Sequence, residues 1–310
     1  MAYQGPHPVR LPDFSFLIDV DKQEYTLGES VNGKVVIKTS VPLFVNSLNV
    51  RFVCEFIARA ADLVFDSEAY KFFGYIRYNF VDHTVTLLEN TDIQPPGLEI
   101  DSPFIIPEEA YPTINGVAFQ VRWYIIARLL TTLGEYTTEK VLNVSRSVSK
   151  DDFIRPKTFE KIEKNLRVII ELPREYFLPG ETINGKVTIV CTKGKVKINA
   201  VNAYLVYGEE VPQNVILALD SRFTNPVCSF TKLYQRVNVH DKVKLTEGDK
   251  LEAQFSVNLP PLLWFSEENR YFSSKWILVL QLDLPLRLDK RIEVPIKVVK
   301  KVTKDEISEH

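Results

Sequence analysis

Two glycine-rich stretches are the first residues to examine for chemistry, because glycine-rich loops can bind phosphate. The chain reads TLGESVNGKVVI at residues 26–37 and LPGETINGKVTI at residues 178–189. A phosphate-binding loop needs a helix directly after its glycines, so that backbone N–H groups at the helix N-terminus face the anion. Here residues 34–37 read KVVI, a run rich in β-branched residues. The pattern therefore predicts turns and strands in place of a phosphate site.

The titratable side chains give little support for catalysis. None of the four histidines has a second ligand at metal spacing; they are His7, His83, His240 and His310. The sequence contains no GxSxG, HExxH or P-loop motif. We predict no catalytic, cofactor-binding or metal-ligating residue, no cofactor and no enzymatic activity. A hydrolase or carbohydrate-binding site assembled from distant segments stays open as a third alternative.

Composition excludes several classes of protein. A chain of 310 residues exceeds the usual size of one core, which predicts two domains. The formal net charge of −2 does not suit a nucleic-acid-binding protein. No apolar run approaches the roughly 20 residues of a membrane-spanning helix. Three scattered cysteines, Cys54, Cys191 and Cys228, suit isolated thiols in a reducing cytoplasm.

Hydrophobic residues mostly alternate with polar ones, as in half-buried strands. Residues 48–56 show this period of two most clearly, and residues 166–170 and 201–205 repeat it. Pro and Gly clusters separate the runs, as in Pro95-Pro96-Gly97. Residues 157–165 alone have a helical composition. The pattern predicts an all-β protein of sandwich type.

The chain repeats itself over most of its length. Eight positions from Gly28 to Ile37 match residues 152 positions later, and five from Leu98 to Trp123 match residues 153 positions later. This register predicts two homologous β domains in tandem. Residues 178–181 fit a type II turn with Gly180 at positive φ. Gly33 fits a bulge or a close backbone approach within a strand.

These residues resemble the arrestin fold. The stretch YTLGESVNGKV at residues 25–35 is similar to the entry hairpin of arrestin domains. The pairs SPFIIP and FSVNLP, and then VRWYIIARL and SKWILVLQL, resemble the two strands that follow, and IEVPIKVV resembles the final strand. The resemblance runs from about Phe14 to Val302 and repeats in both halves.

The resemblance implies two tandem immunoglobulin-like antiparallel β-sandwiches. We expect them at residues 1–150 and 166–303, with an exposed linker at residues 151–165 and a short charged tail at residues 304–310. The superfamily includes receptor arrestins, α-arrestins, the arrestin-like subunit of retromer and bacterial sporulation-control proteins. The sequence lacks a PPxY motif and the long acidic loop of receptor arrestins. It is therefore similar to compact prokaryotic-type or retromer-like members.

An apolar loop is the first candidate for partner contact. Residues 260–272 read PPLLWFSEENRYF, in which four large apolar residues follow one another where a loop is normally polar. They are Leu262, Leu263, Trp264 and Phe265. Two readings stay open: these side chains pack beneath the loop or against the other domain, or they anchor a partner or a membrane surface.

A basic hairpin is the second candidate. Residues 284–291 read LPLRLDKR, so that Arg287, Lys290 and Arg291 precede the final strand. The matching hairpin touches membrane in some arrestins. Cationic side chains near an anionic surface contribute about 1 kcal/mol each, although an ordinary solvated hairpin is the alternative.

The combined expectation is a non-enzymatic scaffold or adaptor that binds other proteins. Its partners would include the cytoplasmic segments of membrane proteins, in trafficking or signalling, and it would bind no nucleic acid. We expect it in the cytoplasm, with peripheral contact to the inner face of a membrane. The alternative is a structural subunit of a retromer-like sorting coat.

Overall fold

The computed structural model describes residues 9–11, 14–63, 70–262, 264–285 and 288–302. Almost all regular structure in these ranges is β-strand, as predicted, and most strand pairs are antiparallel. No helix in the described part of the chain is both long and apolar enough to cross a bilayer. The chain divides into two compact units. One consists of residues 1–60, 72–115 and 119–146, and the other of residues 61–71, 116–118 and 147–310.

The first unit contains two facing sheets. Its strands are β1 (Val9–Leu11), β2 (Phe14–Val20), β3 (Glu24–Thr26), β4 (Ser30–Thr39), β5 (Leu43–Leu63), β6 (Tyr70–Ile93), β7 (Gly97–Ile105), β8 (Ile114–Asn115), β9 (Phe119–Thr131) and β10 (Gly134–Ser145). One sheet has the strand order β1-β2-β4-β7; the other joins β6, β5, β9 and β10 in that order, with the short β3 and β8 at its margins. Alternate residues of β9 are buried, which is the predicted period of two.

The elements of the second unit are β11 (Ser147–Val148), α1 (Lys150–Ile154), β12 (Lys157–Glu163), β13 (Leu166–Leu172), β14 (Tyr176–Phe177), β15 (Thr182–Cys191), β16 (Lys195–Ile198), β17 (Ala200–Glu210), α2 (Gln213–Leu219), β18 (Pro226–Val227), β19 (Ser229–His240), β20 (Val243–Thr246), β21 (Lys250–Asn258), β22 (Glu267–Glu268), β23 (Ser273–Asp283), β24 (Lys290–Val298) and β25 (Lys301–Val302). This unit also contains two main sheets, with orders β12-β13-β15-β21 and β14-β24-β23-β17-β19. A two-stranded ribbon pairs β16 with β20, β11 pairs with β25, β22 adds to β23, and β18 pairs with residues 61–62 of β5.

The predicted duplication is visible in the hydrogen bonds. Gly28 and Gly180 both have positive φ, at +83° and +82°. In each unit the following glutamate, Glu29 or Glu181, closes the turn by donating its N–H to the residue three positions earlier, Thr26 or Leu178. Its side chain also accepts the N–H of that same residue, at 2.8 Å in one unit and 2.7 Å in the other. The two glycines therefore serve turns, as predicted.

Gly33 lies where two strands approach closely. A Cβ atom at this position would stand 2.8 Å from the carbonyl oxygen of Ser102 on β7. The pairing of β4 with β7 runs through Gly33 without a register shift, and the pairing with β2 reaches Gly33 in unbroken register. Of the two explanations offered for this glycine, the structure therefore shows the close approach and no bulge.

The segment with helical composition is a strand. Residues 157–163 form β12, which pairs along its whole length with β13. Lys164, at a φ of +47°, lies in the tight connection between the two strands. The helical expectation for residues 157–165 was wrong because an available strand edge on β13 outweighs weak local propensity. The predicted domain and linker boundaries stay predictions.

Candidate functional site

Trp264, the centre of the predicted apolar loop, lies partly buried against the core of the second unit. Its indole ring stacks on Tyr207, with ring centroids 4.7 Å apart and planes inclined by 22°. Phe230 meets the same ring edge-on at 5.7 Å. The Trp264 carbonyl accepts a hydrogen bond of 2.7 Å from the indole N–H of Trp276. These contacts correspond to packing beneath the loop.

The first unit repeats this arrangement. Trp123, the counterpart of Trp276, donates its indole N–H to the carbonyl of Tyr111 at 2.8 Å. Tyr111 stands 153 positions before Trp264 and packs edge-on against Phe80, with centroids 4.5 Å apart. In each unit the backbone carbonyl of an aromatic residue therefore accepts the indole N–H of the buried tryptophan. The position of Trp264 belongs to the duplicated architecture.

The other residues of the apolar loop are less enclosed. Leu262 and Phe265 are half-buried, and Phe265 packs against the core of the second unit. Leu263 lies outside the described residues. The role of this loop as a partner or membrane anchor stays a prediction, since the observed contacts of Trp264 and Phe265 are internal.

The basic hairpin is partly paired. Lys290 lies 3.2 Å from a Glu163 oxygen, and hydrogen bonds from Lys290 and then Lys161 hold the pKa of the Glu163 carboxyl below its usual range. Arg291 is exposed and forms no ion pair within the described residues. Leu288, in the same hairpin, has 90% of its surface exposed. Arg287 lies outside the described residues.

A second basic feature, which we did not single out from the sequence, is the ribbon of β16 and β20. Lys197 stands directly opposite Lys244 across the two strands, and Lys195 stands opposite Thr246. Directly opposed like charges destabilise a strand pair. Inward-facing Leu245 is buried, whereas the lysines are exposed. The signal was present in the alternating lysines of CTKGKVKI and HDKVKL at residues 191–198 and 240–245.

The topology gathers the ribbon and the basic hairpin at one end of the second unit. Asn199 follows β16 directly, and its N–H donates to the Asp283 carbonyl, at the end of β23, over 2.8 Å. The connection between β12 and β13 lies at the same end, because Thr192 donates to the Asn165 carbonyl. We call this surface the basic end. Its exposed cations form no ion pair within the described residues: Lys164, Lys193, Lys195, Lys197, Lys242, Lys244 and Arg291.

Carboxylates at the basic end are engaged in local hydrogen bonds. Asp249 accepts from the N–H and the hydroxyl of Thr246, both at 2.7 Å, and these bonds lower the pKa of Asp249. Glu247 accepts from the Gly194 N–H at 3.1 Å. Asp241 accepts from Asn238, and Asp289 from Gln281. These negative charges reduce the local excess of positive charge without pairing the seven cations.

Comparison with known families agrees with this architecture. Residues 163–301 match the family described as arrestin (or S-antigen), C-terminal domain. This part of the chain is therefore similar to an arrestin C-terminal domain. The predicted arrestin fold is thereby confirmed, whereas the prokaryotic-type assignment stays a prediction. No curated protein matches the chain.

The arrestin assignment bears on chemistry as well. Arrestin-family proteins are generally non-enzymatic scaffolds that bind other proteins. Within the described residues no group of three His, Cys, Asp or Glu side chains is arranged to hold a metal ion. The three cysteines, also described, are buried thiols, and burial raises the pKa of Cys54. The similarity to arrestins therefore makes surface residues the candidates for function.

Proposed function

We propose that this protein is a non-enzymatic adaptor whose arrestin C-terminal domain contacts an anionic membrane surface while other parts bind proteins. The cellular setting would be the cytoplasmic face of a membrane, in trafficking or signalling. The arrestin assignment supports the adaptor role, and the basic end supports the membrane contact.

The observation that carries the membrane contact is the set of exposed, unpaired cations at the basic end. Five of its seven members are lysines of the ribbon and its flanking turns, which are flexible point charges suited to a diffuse anionic surface. Each contributes about 1 kcal/mol near such a surface, and the contribution falls within a Debye length. Leu288, with 90% of its surface exposed, adds an apolar tip at the same end.

The test is sedimentation of the full chain with vesicles of phosphatidylcholine, with and without phosphatidylserine. We expect binding to the anionic vesicles and loss of that binding as salt is raised. The double variant Lys195→Glu/Lys244→Glu, which reverses two charges on the ribbon, should bind far more weakly. A matched variant, Lys38→Glu/Lys150→Glu, reverses two exposed lysines elsewhere and should bind like the wild type.

If both double variants lose vesicle binding equally, binding depends on the total charge of the chain. That result would contradict the assignment of the membrane contact to the basic end. Binding that is insensitive to salt would contradict an electrostatic contact. Recovery of the chain from its native cell in a stable stoichiometric complex, without vesicle binding, would favour the coat-subunit alternative. Leu288→Ser separates the apolar tip from the charges, because it changes neither net charge nor the ribbon.

A further inference from the structure

A cavity of about 490 Å³ opens on the outer face of the sheet formed by β5, β9 and β10 in the first unit. This volume is within the range of ligand pockets, which is about 300–1,000 Å³. Tyr124 and Ile126 of β9 and Val141 of β10 supply apolar lining. Tyr124 stands opposite Val141 across the two strands, so that the two side chains share the outer face.

Two carboxylates line the same cavity, of which one has an ion-pair partner and the other has none within the described residues. Glu55 is nearly buried and lies 3.0 Å from an Arg77 nitrogen. Glu139 is half-buried and forms neither an ion pair nor a hydrogen bond within the described residues. It stands opposite Ile126 on β9. The positive charge that acts on Glu139 is that of Arg122, which also lines the cavity and whose exposed side chain donates to Gln120.

The electrostatics around Glu139 favour a cation. Burial and then the charge of Glu55 raise the pKa of Glu139, and Arg122 offsets part of this effect. Burial, the charge of Glu55 and a hydrogen bond with Glu55 raise the pKa of Tyr124 to about 12. A carboxylate held in partial burial without a partner is stabilised by an incoming positive charge.

An unpaired strand edge borders the cavity. Strand β10 pairs with β9 along residues 134–142, and with β3 through residues 143–145. On the side away from β9, no described strand pairs with residues 134–142. An exposed edge presents backbone N–H and C=O groups that can add a further strand. Glu139 and Val141 project from this edge strand onto the outer face.

We propose that this edge and cavity bind an extended peptide that places a lysine or arginine side chain beside Glu139. A strand added to β10 would carry alternate side chains on the outer face, with Cβ atoms about 4.5–5.5 Å from those of β10. The aliphatic stem would lie over Tyr124, Ile126 and Val141, and the cationic head would meet the unpaired carboxylate. An acidic side chain at the same position would face Glu139 and Glu55 and would be repelled.

This proposal is independent of the basic end, which lies in the second unit and attracts anions. The proposed partner here is a basic peptide, and the proposed site lies in the first unit. Loss of vesicle binding would leave it untouched, and failure of peptide binding would leave the membrane proposal untouched.

The experiment uses acetylated peptides of sequence STVTXTVTS, in which X is lysine, arginine, norleucine or glutamate. Calorimetric titration of the full chain at about pH 7, where carboxylates are ionised, gives the affinities. We expect the lysine and arginine peptides to bind at least about tenfold more tightly than the norleucine peptide, as charge-assisted hydrogen bonds allow. Hydrogen exchange should show new protection within residues 134–142.

Glu139→Gln should remove the preference for basic peptides while leaving the fold intact. The matched control is Glu135→Gln, which changes the same residue type on the same face of β10, where Glu135 already pairs with Arg128. It should retain the preference. The proposal is overturned if norleucine and lysine peptides bind equally, if Glu139→Gln retains the preference, or if the lysine peptide neither binds nor protects β10 at millimolar concentration.

Discussion

The buried carboxylate of Glu209 accepts a hydrogen bond of 2.6 Å from the backbone N–H of Ala118, and both residues belong to the second unit. The same carboxylate accepts from the N–H of Val117 at 2.9 Å and from the hydroxyl of Tyr207 at 2.7 Å. One side chain thus fixes the backbone of residues 117–118. Glu209 is 2% exposed, so water does not replace it.

Glu209→Ala should destabilise the second unit by about 3 kcal/mol, because three donors would lose their acceptor inside the protein. Thermal unfolding measures the loss, and faster hydrogen exchange at residues 117–118 localises it. The neighbouring Glu210→Ala serves as control, since Glu210 is exposed and should tolerate the change. Equal melting temperatures for the two variants would contradict the structural role assigned to Glu209.

Gly33→Ala should lower stability by about 1–3 kcal/mol, the usual cost of overpacking. The new methyl group would stand 2.8 Å from a backbone oxygen of Ser102, which the paired strands hold in place. Gly208→Ala is the matched control, because nothing lies within 4 Å of a Cβ at that strand position. It should be neutral or slightly stabilising. The measurement is the melting temperature of each variant. A Gly33→Ala variant that melts at the wild-type temperature would contradict the close approach of the two strands at Gly33.

Trp264→Ser should lower the melting temperature of the second unit strongly, at a cost of about 3 kcal/mol. The variant loses the stack on Tyr207 and the edge contact with Phe230. Vesicle or partner binding measured under folding conditions separates packing from anchoring. Destabilisation with unchanged binding would reject the anchor interpretation of the apolar loop. Trp264→Phe keeps part of the stack on Tyr207. Its melting temperature should therefore lie between those of Trp264→Ser and the wild type.

Glu139→Gln should leave the melting temperature unchanged or raise it at neutral pH. The folded state raises the pKa of Glu139, so ionising this carboxyl costs more in the folded chain than in the unfolded chain. The penalty is absent below the unfolded pKa, which is about 4.3, and complete above the raised folded value. Melting temperatures across this range should therefore show the benefit of the variant shrinking as pH falls. A variant less stable than the wild type at neutral pH would contradict the assignment.

Repetition made much of the fold predictable from sequence. Turns that require positive φ favour glycine, so Gly28 and Gly180 marked equivalent turns in the two halves of the sequence. Alternating hydrophobic residues identified β5, β13 and β17 from the sequence as well. The helical prediction for residues 157–165 was wrong because residues 157–163 form a strand by pairing with the edge of β13. Local composition carries no information about that pairing.

The surfaces were harder to predict because they depend on which segments the topology brings together. The cations of the basic hairpin are close together in the sequence, so the hairpin could be selected as a candidate from the sequence alone. The lysines of β16 and β20 are about 50 positions apart and come together only through strand pairing. Glu55 and Glu139 share a cavity although 84 positions separate them. The sequence left open whether Trp264 packs inside or anchors a partner, because its contact with Tyr207 could not be inferred from the sequence of the loop.

The positions of the three tryptophans allow the unfolding of one unit to be followed by intrinsic fluorescence. The three tryptophans are Trp123 in the first unit and Trp264 and Trp276 in the second. Trp123 and Trp276 are almost fully buried, so unfolding transfers each indole to water and shifts its emission. A Trp123→Phe chain would emit from the second unit alone, and its fluorescence would follow that unit's unfolding within the intact protein.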